Sequence, residues 1–420
     1  MRSKFFHAIA VAGIFALAGC SDEAKPTPVS LGEGPDNPEL SSDSEGGELP
    51  PNGGSEIFSS DASTLPGTSS PSGNNPADIN SSATGESGNP EVASSESSSQ
   101  LTTSSETAQE QTYAFGYAMG NAPTPSKGCG KNSTLQQKGS NSNAKKYSMR
   151  SADLDRAFWL TLPKNYDNNK PYKILFAMHC MGSNAEDFTQ HTPDYDHPSP
   201  YYGQQNLDTE NNYIFVSPES NSNSFGPWRM DDKDHRFFGD MLTLIEENYC
   251  IDTSRVFVTG FSFGAMFTNS LSWDFQDRIR AVAVYATAAY NIYLPEKKNL
   301  PIAWMGVHGK NDETCPYKTN WNPGARDSAL VQILRFNSAE GKNAVNEKEN
   351  GLQEIADNQA GHLCYDFKDV DPRFPVKWCS WNGPHRWAAH DEYDYANINS
   401  PESWKKTWVP KVVHEFFEQF

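Results

Sequence analysis

One short motif constrains this chain more than any other feature: Gly260-Phe261-Ser262-Phe263-Gly264. Residues 255–259 before it are β-branched and aromatic and predict a buried strand, and residues 265–273 after it carry apolar side chains at helical spacing. Gly-x-Ser-x-Gly between a strand and a helix predicts a nucleophile elbow, a tight turn in which the glycines let the two elements approach closely. We therefore predict Ser262 as a nucleophile, with the amide of Phe263 free to donate a hydrogen bond to a developing oxyanion.

The first 20 residues predict a signal peptide rather than part of the fold. A basic start is followed by an apolar run that is too short to span a membrane. The run ends in Leu17-Ala18-Gly19-Cys20, which is similar to the lipobox of bacterial lipoproteins and makes Cys20 the expected lipidation site. An ordinary secretory signal is the alternative. Both predict export, and a lipid anchor would place the protein at the outer cell surface or outer membrane, in contact with the membrane through the anchor alone.

Residues 21–111 have the composition of a disordered linker. They are rich in Ser, Gly, Pro and Asn, and they hold 16 acidic residues and one lysine. Such a segment buries too little apolar area to offset the entropy of ordering it. Most of the net charge of −19 belongs to this segment, so the acidity says little about the ligand of the folded part, and we infer no nucleic-acid role.

The remaining residues, 112–420, are enough for one large domain. Six of the seven cysteines lie here, and in an exported protein an even number predicts disulfide bonds. Cys364 and Cys379 are the best local pair, and the other pairings stay open. No Cys-x-x-Cys pair occurs, which argues against a zinc site, and no metal, nucleotide or cofactor motif is present.

Apolar runs alternate with helical patterns throughout this region. Runs typical of strands buried on both faces cover 172–178, 213–217, 256–258, 281–285 and 302–307, and an alternating run at 156–162 predicts an edge strand. Helical patterns cover 237–249, 265–273, 325–336 and 404–420. This alternation predicts an α/β domain with a mostly parallel central sheet and helices on both faces.

A serine nucleophile needs a base, and the base needs a carboxylate to orient it. In this architecture both follow the serine, on loops after later strands. Asp312 lies in the loop after the strand at 302–307, with Glu313 as the alternative acid. His385 follows the strand predicted at 376–381, with His390 as the alternative base. We expect His308 to shape its loop rather than to carry protons.

A second oxyanion donor is expected in the loop after the strand at 172–178, which reads His179-Cys180-Met181-Gly182-Ser183. We expect His179 to brace this loop by hydrogen bonds.

The folded part resembles secreted carbohydrate esterases of the feruloyl esterase and acetylxylan esterase group, which are related to polyhydroxybutyrate depolymerases and have the α/β-hydrolase fold. The resemblance is carried by residues 128–131, 176–188 and 249–257, by the elbow, by His308-Gly309 with Asp312, and by Trp378-Cys379 with Gly383 and His385. It implies Ser262, Asp312 and His385 as a catalytic triad and the amides of Phe263 and Met181 as oxyanion donors.

The chain departs from the family pattern at two places. Members have His-Gly-Cys-Gly in the oxyanion loop, whereas Cys180 stands here at the glycine position. If the backbone angles of glycine are needed, Cys180 is expected to be strained. Cys315, three residues after Asp312, is also unusual, and it suggests a disulfide that staples the acid loop.

The resemblance implies hydrolysis of ferulate esters on plant cell-wall xylan through an acyl-serine intermediate. Acetylxylan deacetylation and polyester depolymerisation are the alternatives, followed by a non-catalytic surface glycan-binding protein. Tryptophans in predicted loops are candidate contacts for an aromatic acid or a sugar ring, chiefly Trp228 and Trp387, with Trp321 and Trp381 as further candidates.

Overall fold

A computed structural model describes residues 119–190, 200–220, 228–296, 298, 300–318, 324–338, 352–391 and 407–420. Residues 1–118 lie outside the described residues, so the signal predicted at 1–20 with Cys20 and the whole linker predicted at 21–111 lie outside them. Trp321 also lies outside them.

Ten strands form one mixed sheet in the described part of the chain, in the order β1-β2-β3-β5-β4-β6-β7-β8-β10-β9. The strands are β1 Gln137–Ser140, β2 Lys145–Ser151, β3 Leu154–Thr161, β4 Tyr172–Met178, β5 Tyr213–Pro218, β6 Ile251–Phe261, β7 Ala281–Tyr285, β8 Ala303–Gly309, β9 His362–Asp366 and β10 Val376–Trp381. The central strands, from β5 through β4, β6, β7 and β8 to β10, run parallel, and antiparallel strands extend both sides. This is the predicted α/β-hydrolase sheet.

The central strands are buried on both faces, which explains their continuous apolar sequences. In β4, Ile174 and Phe176 point into one hydrophobic cluster, while Leu175 and Ala177 point into the other. The alternation follows from the two-residue period of a strand. Each face of the sheet therefore has its own core.

Helices cover both of these faces. They are α1 Gln204–Leu207, α2 Lys233–Asn248, α3 Phe263–Leu271, α4 Val331–Asn337 and α5 Val409–Glu418, and a π-helical turn at Arg326–Leu330 leads into α4. Phe238 of α2 and Phe267 of α3 belong to the first cluster, whereas Val413 and Phe417 of α5 belong to the second. The prediction of helices on both faces is confirmed. Among the described residues, no helix is both long and apolar enough to cross a membrane.

The prediction that the strand at 156–162 lies at the edge is wrong. β3 lies inside the sheet, between β2 and β5. The outer strands β1 and β2 read Gln-Lys-Gly-Ser and Lys-Lys-Tyr-Ser-Met-Arg-Ser, so their polar sequences gave no strand signal.

Two disulfides between described residues tie peripheral segments to the sheet. Cys364 and Cys379 are bonded and are direct partners in the register of β9 with β10, which confirms the predicted pair. A second disulfide joins Cys129 to Cys250, immediately before β6. Cys315 is a buried free cysteine, so the predicted disulfide staple of the acid loop is wrong.

Candidate active site

Ser262 occupies a sharp turn between β6, which ends at Phe261, and α3, which begins at Phe263. Its backbone has φ of 56° and ψ of −122°, a combination that costs a non-glycine residue conformational energy. A hydrogen bond of 3.1 Å from its amide to the carbonyl of Tyr285 helps to hold the turn. The turn has the geometry of a nucleophile elbow.

The glycines of the elbow are required by contact distances. A Cβ added to Gly260 would lie 2.5 Å from the backbone of Gly264, and one added to Gly264 would lie 2.2 Å from the carbonyl oxygen of Met178. Both distances are far below van der Waals contact. The expectation that glycine lets the strand and the helix approach closely is confirmed at Gly260, and Gly264 lets α3 approach the end of β4.

The structure brings Ser262, His385 and Asp312 together in one chain of hydrogen bonds. His385 Nε2 lies 2.8 Å from Ser262 Oγ, and His385 Nδ1 lies 2.8 Å from Asp312 Oδ2. Asp312 follows β8 and His385 follows β10, and these parallel neighbours end at the same edge of the sheet as β6. Ser262 is largely buried, with 8% of its surface exposed.

The acid loop fixes both oxygens of Asp312. Oδ1 accepts hydrogen bonds from the amides of Thr314 (2.9 Å) and Cys315 (2.7 Å). Burial by itself would raise the pKa of Asp312, but hydrogen bonds with His308 and His385 lower it to about 2. The carboxylate is therefore ionised at neutral pH. The alternative acid, Glu313, is exposed and points into solvent.

His308 contacts the triad carboxylate as well as shaping its loop. Its Nε2 lies 2.7 Å from the carbonyl of Cys315 and 3.3 Å from Asp312 Oδ2. A carbonyl acceptor requires the proton on Nε2, and the buried Nδ1 has no hydrogen-bond partner within the described chain. Sequence analysis predicted the loop-shaping role of His308 but missed its contact with Asp312. The signal for that contact was the four-residue spacing of His308 and Asp312 across a turn. The alternative base, His390, is buried, and the hydrogen bond to Ser262 comes from His385.

The amides of Phe263 and Met181 stay the predicted oxyanion donors. Phe263 is the first residue of α3 and so has no carbonyl within its own helix to accept its N–H. Met181 lies in the turn after β4, and the next residue, Gly182, has φ of 84°. Neither amide donates to another described protein group.

The expected strain at Cys180 is absent, because the residues with positive φ in the described chain include Gly182 and not Cys180. The left-handed residue of this loop is therefore Gly182, at the second glycine of the family pattern, and not Cys180 at the first. His179 braces the loop as predicted: its Nδ1 lies 2.9 Å from the carbonyl of Cys180, and its Nε2 accepts a hydrogen bond from the amide of Ser220 at 3.1 Å.

The two tryptophans predicted as substrate contacts occupy different environments. Trp228 is 1% exposed; it stacks on Phe267 at 4.2 Å and donates a hydrogen bond of 2.9 Å to the carbonyl of His179. These contacts support a bracing role behind the oxyanion loop and argue against direct contact with substrate. Trp387 is half-buried and lies two residues after His385, so its contact with substrate stays a prediction.

Tyr202 is a buried residue at the site that sequence analysis missed. Its hydroxyl donates to the carbonyl of Met178 at 2.7 Å and accepts from the amide of Phe261 at 3.1 Å. Tyr202 thus joins Met178, the last residue of β4, to Phe261, the residue before the nucleophile. Its ring also packs edge-on against Trp387 at 5.3 Å. Its sequence neighbourhood, Tyr-Tyr-Gly, carries no motif that would have identified it.

No group of three or more His, Cys, Asp or Glu side chains in the described ranges is arranged to hold a metal ion.

Comparison with known proteins points to one family. No family model matches the sequence. The chain is 29% identical over 300 residues to feruloyl esterase D of Neurospora crassa, covering 71% of this chain and 92% of that protein. It is 31% identical over 205 residues to probable feruloyl esterase C of Aspergillus terreus, covering 49% and 68%. A solved ferulic acid esterase of Anaeromyces mucronatus aligns with a TM-score of 0.38 at 16% identity, covering 66% and 94%. On these sequence identities the chain belongs to the feruloyl esterases, a family of carbohydrate esterases in the α/β-hydrolase superfamily.

Proposed function

We propose that this protein is a serine esterase that releases ferulic or a related hydroxycinnamic acid from plant cell-wall xylan. The observation that carries the proposal is the hydrogen-bonded order Ser262–His385–Asp312, with 2.8 Å at each link. Membership of the feruloyl esterase family supports the acyl group.

In the first half of the reaction, Ser262 Oγ attacks the ester carbonyl while His385 Nε2 takes its proton. Asp312 holds the proton on His385 Nδ1 and stabilises the positive charge that forms on the ring. The amides of Phe263 and Met181 donate to the oxyanion, and each such donor typically lowers the barrier by about 3–4 kcal/mol. His385 then gives its proton to the departing sugar oxygen, which leaves a feruloyl ester on Ser262.

In the second half, water replaces the alcohol. His385 takes a proton from the water as it attacks the acyl-serine, and the same two amides bind the second oxyanion. Collapse of this intermediate returns the proton to Ser262 Oγ and releases the free acid. Because every proton transfer passes through Nε2, the mechanism needs a histidine whose Nδ1 proton is held throughout.

Release of ferulate from methyl ferulate, compared with release of acetate from acetylated xylan, tests the substrate. We expect brisk ferulate release, and Ser262→Ala is expected to abolish it while binding of feruloylated oligosaccharide persists. Acetate release without ferulate release would make the protein an acetylxylan esterase. Hydrolysis of both esters at the parental rate by Ser262→Ala would refute the serine mechanism itself.

We further propose that the protein is exported and anchored to the outer cell surface by a lipid on Cys20. Two disulfides support an oxidising compartment, and the lipobox-like sequence before Cys20 supports the anchor. Mass spectrometry of the mature N-terminal peptide tests this, with Cys20→Ala as the control. We expect a lipidated cysteine at the N-terminus, and an unmodified mature end beyond residue 20 would refute the anchor.

A further inference from the structure

A second cleft opens at the edge of the sheet opposite to Ser262. It has a volume of about 550 Å³ and is lined by the segment before β1, by β1 and β2, and by the loops that precede β4 and β6: Lys131, Asn132, Ser133, Leu135, Gln137, Lys145, Tyr147, Leu162, Tyr166, Asp167, Asn168 and Tyr249. Tyr249 lies just before β6, whereas Ser262 follows its other end. At about 3.3 Å per residue the strand separates the two places by roughly 30 Å, so this cleft is not part of the catalytic site.

The floor of the cleft holds tyrosine hydroxyls with unused donor capacity. The hydroxyls of Tyr147 and Tyr249 share one hydrogen bond of 2.9 Å, so one of their two protons is left without an acceptor. The hydroxyl of Tyr166 accepts from the amide of Cys250 at 2.7 Å, which leaves its own proton free. Within the described chain these groups have no other hydrogen bond, so the floor offers two O–H donors to a ligand.

The rim of the cleft carries two lysines without counter-charges. Lys131 and Lys145 are exposed, and neither ammonium group forms an ion pair or hydrogen bond with any residue that the structure describes. The carboxylate of Asp167 is turned toward its own loop, where its Oδ1 accepts from the amide of Asn169 at 2.9 Å and from its side chain at 3.0 Å. The lining of the cleft carries two ammonium groups and one carboxylate, a net charge of +2 − 1 = +1, although the whole chain is acidic.

The walls of the cleft are fixed before any ligand arrives. The Cys129–Cys250 disulfide ties the segment that carries Lys131 to the start of β6. The side-chain amide of Asn168 donates to the carbonyl of Lys131 at 3.0 Å, which joins the same segment to the loop before β4. Binding at such a site orders little additional chain, which favours affinity.

We propose that this cleft is a second polysaccharide-binding site that takes an oligosaccharide bearing a carboxylate, as on a uronic acid substituent. Tyrosine O–H and lysine ammonium groups are donors, so the ligand has to supply acceptors and negative charge. The side-chain amides of Asn132 and Gln137 can both donate to and accept from sugar hydroxyls. The inference rests on the proposed function, because holding an acidic stretch of the polymer raises the local concentration of the esters that Ser262 hydrolyses.

Calorimetric titration with an acidic xylo-oligosaccharide carrying one glucuronic acid, and with the neutral oligosaccharide of the same length, tests the site. Both titrations use the full-length protein, its Lys131→Ala/Lys145→Ala variant and a control variant, Lys127→Ala/Lys138→Ala. The control removes two exposed lysines that do not line the cleft. We expect the acidic ligand to bind the parent and the control alike, and the test variant at least tenfold more weakly, because two charge-assisted contacts are lost.

Equal affinity for the neutral ligand, unchanged affinity in the test variant, or displacement by an equal concentration of inorganic phosphate would overturn the proposal. Both double variants are expected to hydrolyse methyl ferulate at the parental rate, since neither change touches the catalytic site. Failure of the parent to hydrolyse methyl ferulate would refute the proposed function alone, because the titrations measure binding without turnover.

Discussion

Replacing Asp312 by asparagine tests how the acid loop controls the catalytic histidine. Oδ1 of Asp312 accepts from two backbone amides, those of Thr314 and Cys315. An asparagine has to keep its carbonyl oxygen at this position, because an NH₂ group there would face two donors. The NH₂ group then faces His385 Nδ1, which must become an acceptor, and the ring proton moves to Nε2. A histidine protonated at Nε2 cannot take the proton of Ser262.

A wrong tautomer of this kind lowers kcat on the order of 10⁴-fold in a serine hydrolase. This is about 5.5 kcal/mol of transition-state stabilisation at 1.36 kcal/mol per factor of ten. The assay is kcat with methyl ferulate at pH 7 for Asp312→Asn, with Glu313→Gln as the matched control. Glu313 is the exposed neighbouring carboxylate, so the control is expected to stay within about twofold of the parent. Retention of more than a tenth of kcat by folded Asp312→Asn would refute the argument.

Three further predictions concern stability. Gly264→Ala would place a Cβ 2.2 Å from the carbonyl oxygen of Met178. We therefore expect urea titration to show a loss of about 3 kcal/mol or more in the free energy of unfolding. An unchanged urea midpoint would contradict the close approach. Burial alone would raise the pKa of Asp312, but its two histidine hydrogen bonds lower it to about 2. In the unfolded chain the pKa of this carboxyl group is near 4. The ionised carboxylate therefore stabilises the fold above about pH 4, and about 2 kcal/mol of the free energy of unfolding is lost as the pH falls from about 4 to 2. Urea titrations at these pH values should show this loss in the parent and not in Asp312→Asn. The two cysteines of the Cys129–Cys250 disulfide are 121 residues apart, and those of Cys364–Cys379 are 15 residues apart. A double Cys→Ser variant should therefore lower the free energy of unfolding by about 5 kcal/mol at the first bond and by about 3 kcal/mol at the second. A lower melting temperature for the variant of the second bond would contradict the loop-entropy explanation.

The central sheet and the elbow were predictable because local sequence alone determines them. The runs at 172–178 and 281–285 coincide with β4 and β7, since a strand buried on both faces has to be apolar at every position. The same holds for Gly260 of the elbow, where an added Cβ would meet Gly264 four residues later, whereas Gly264 is required by its contact with the distant Met178. The structure also joins the three residues that were predicted together, Ser262, Asp312 and His385, because the loops after β6, β8 and β10 lie at one edge of the sheet.

The parts that were not predictable depend on contacts distant in sequence. The outer strands β1 and β2 are polar; β2 pairs with β3 and β1 pairs with β2, so pairing rather than their own composition stabilises them. Tyr202 lies 59 residues before Phe261, to whose amide it is hydrogen-bonded. Trp228 was predicted to contact substrate because it lies in a predicted loop, yet its ring stacks on Phe267 of α3 and donates a hydrogen bond to the carbonyl of His179. Neither packing partner is visible from the local pattern.

A second set of the same three residue types shows that distance alone does not define a catalytic triad. His235 Nε2 lies 2.8 Å from Ser270 Oγ, and His235 Nδ1 lies 2.9 Å from Asp274 Oδ2, which nearly matches the spacing at Ser262. The Ser270 hydroxyl, however, donates its proton to the carbonyl of Tyr293, so the imidazole has to donate to Ser270 and cannot act as its base. Ser270 is also fully buried inside α3, whereas the hydroxyl of Ser262 has no other hydrogen-bond acceptor within the described chain. Two features therefore distinguish the sites: the hydroxyl proton of Ser262 can go to its histidine whereas that of Ser270 goes to a backbone carbonyl, and Ser262 lies in a strained turn. The second set only joins α2 to α3.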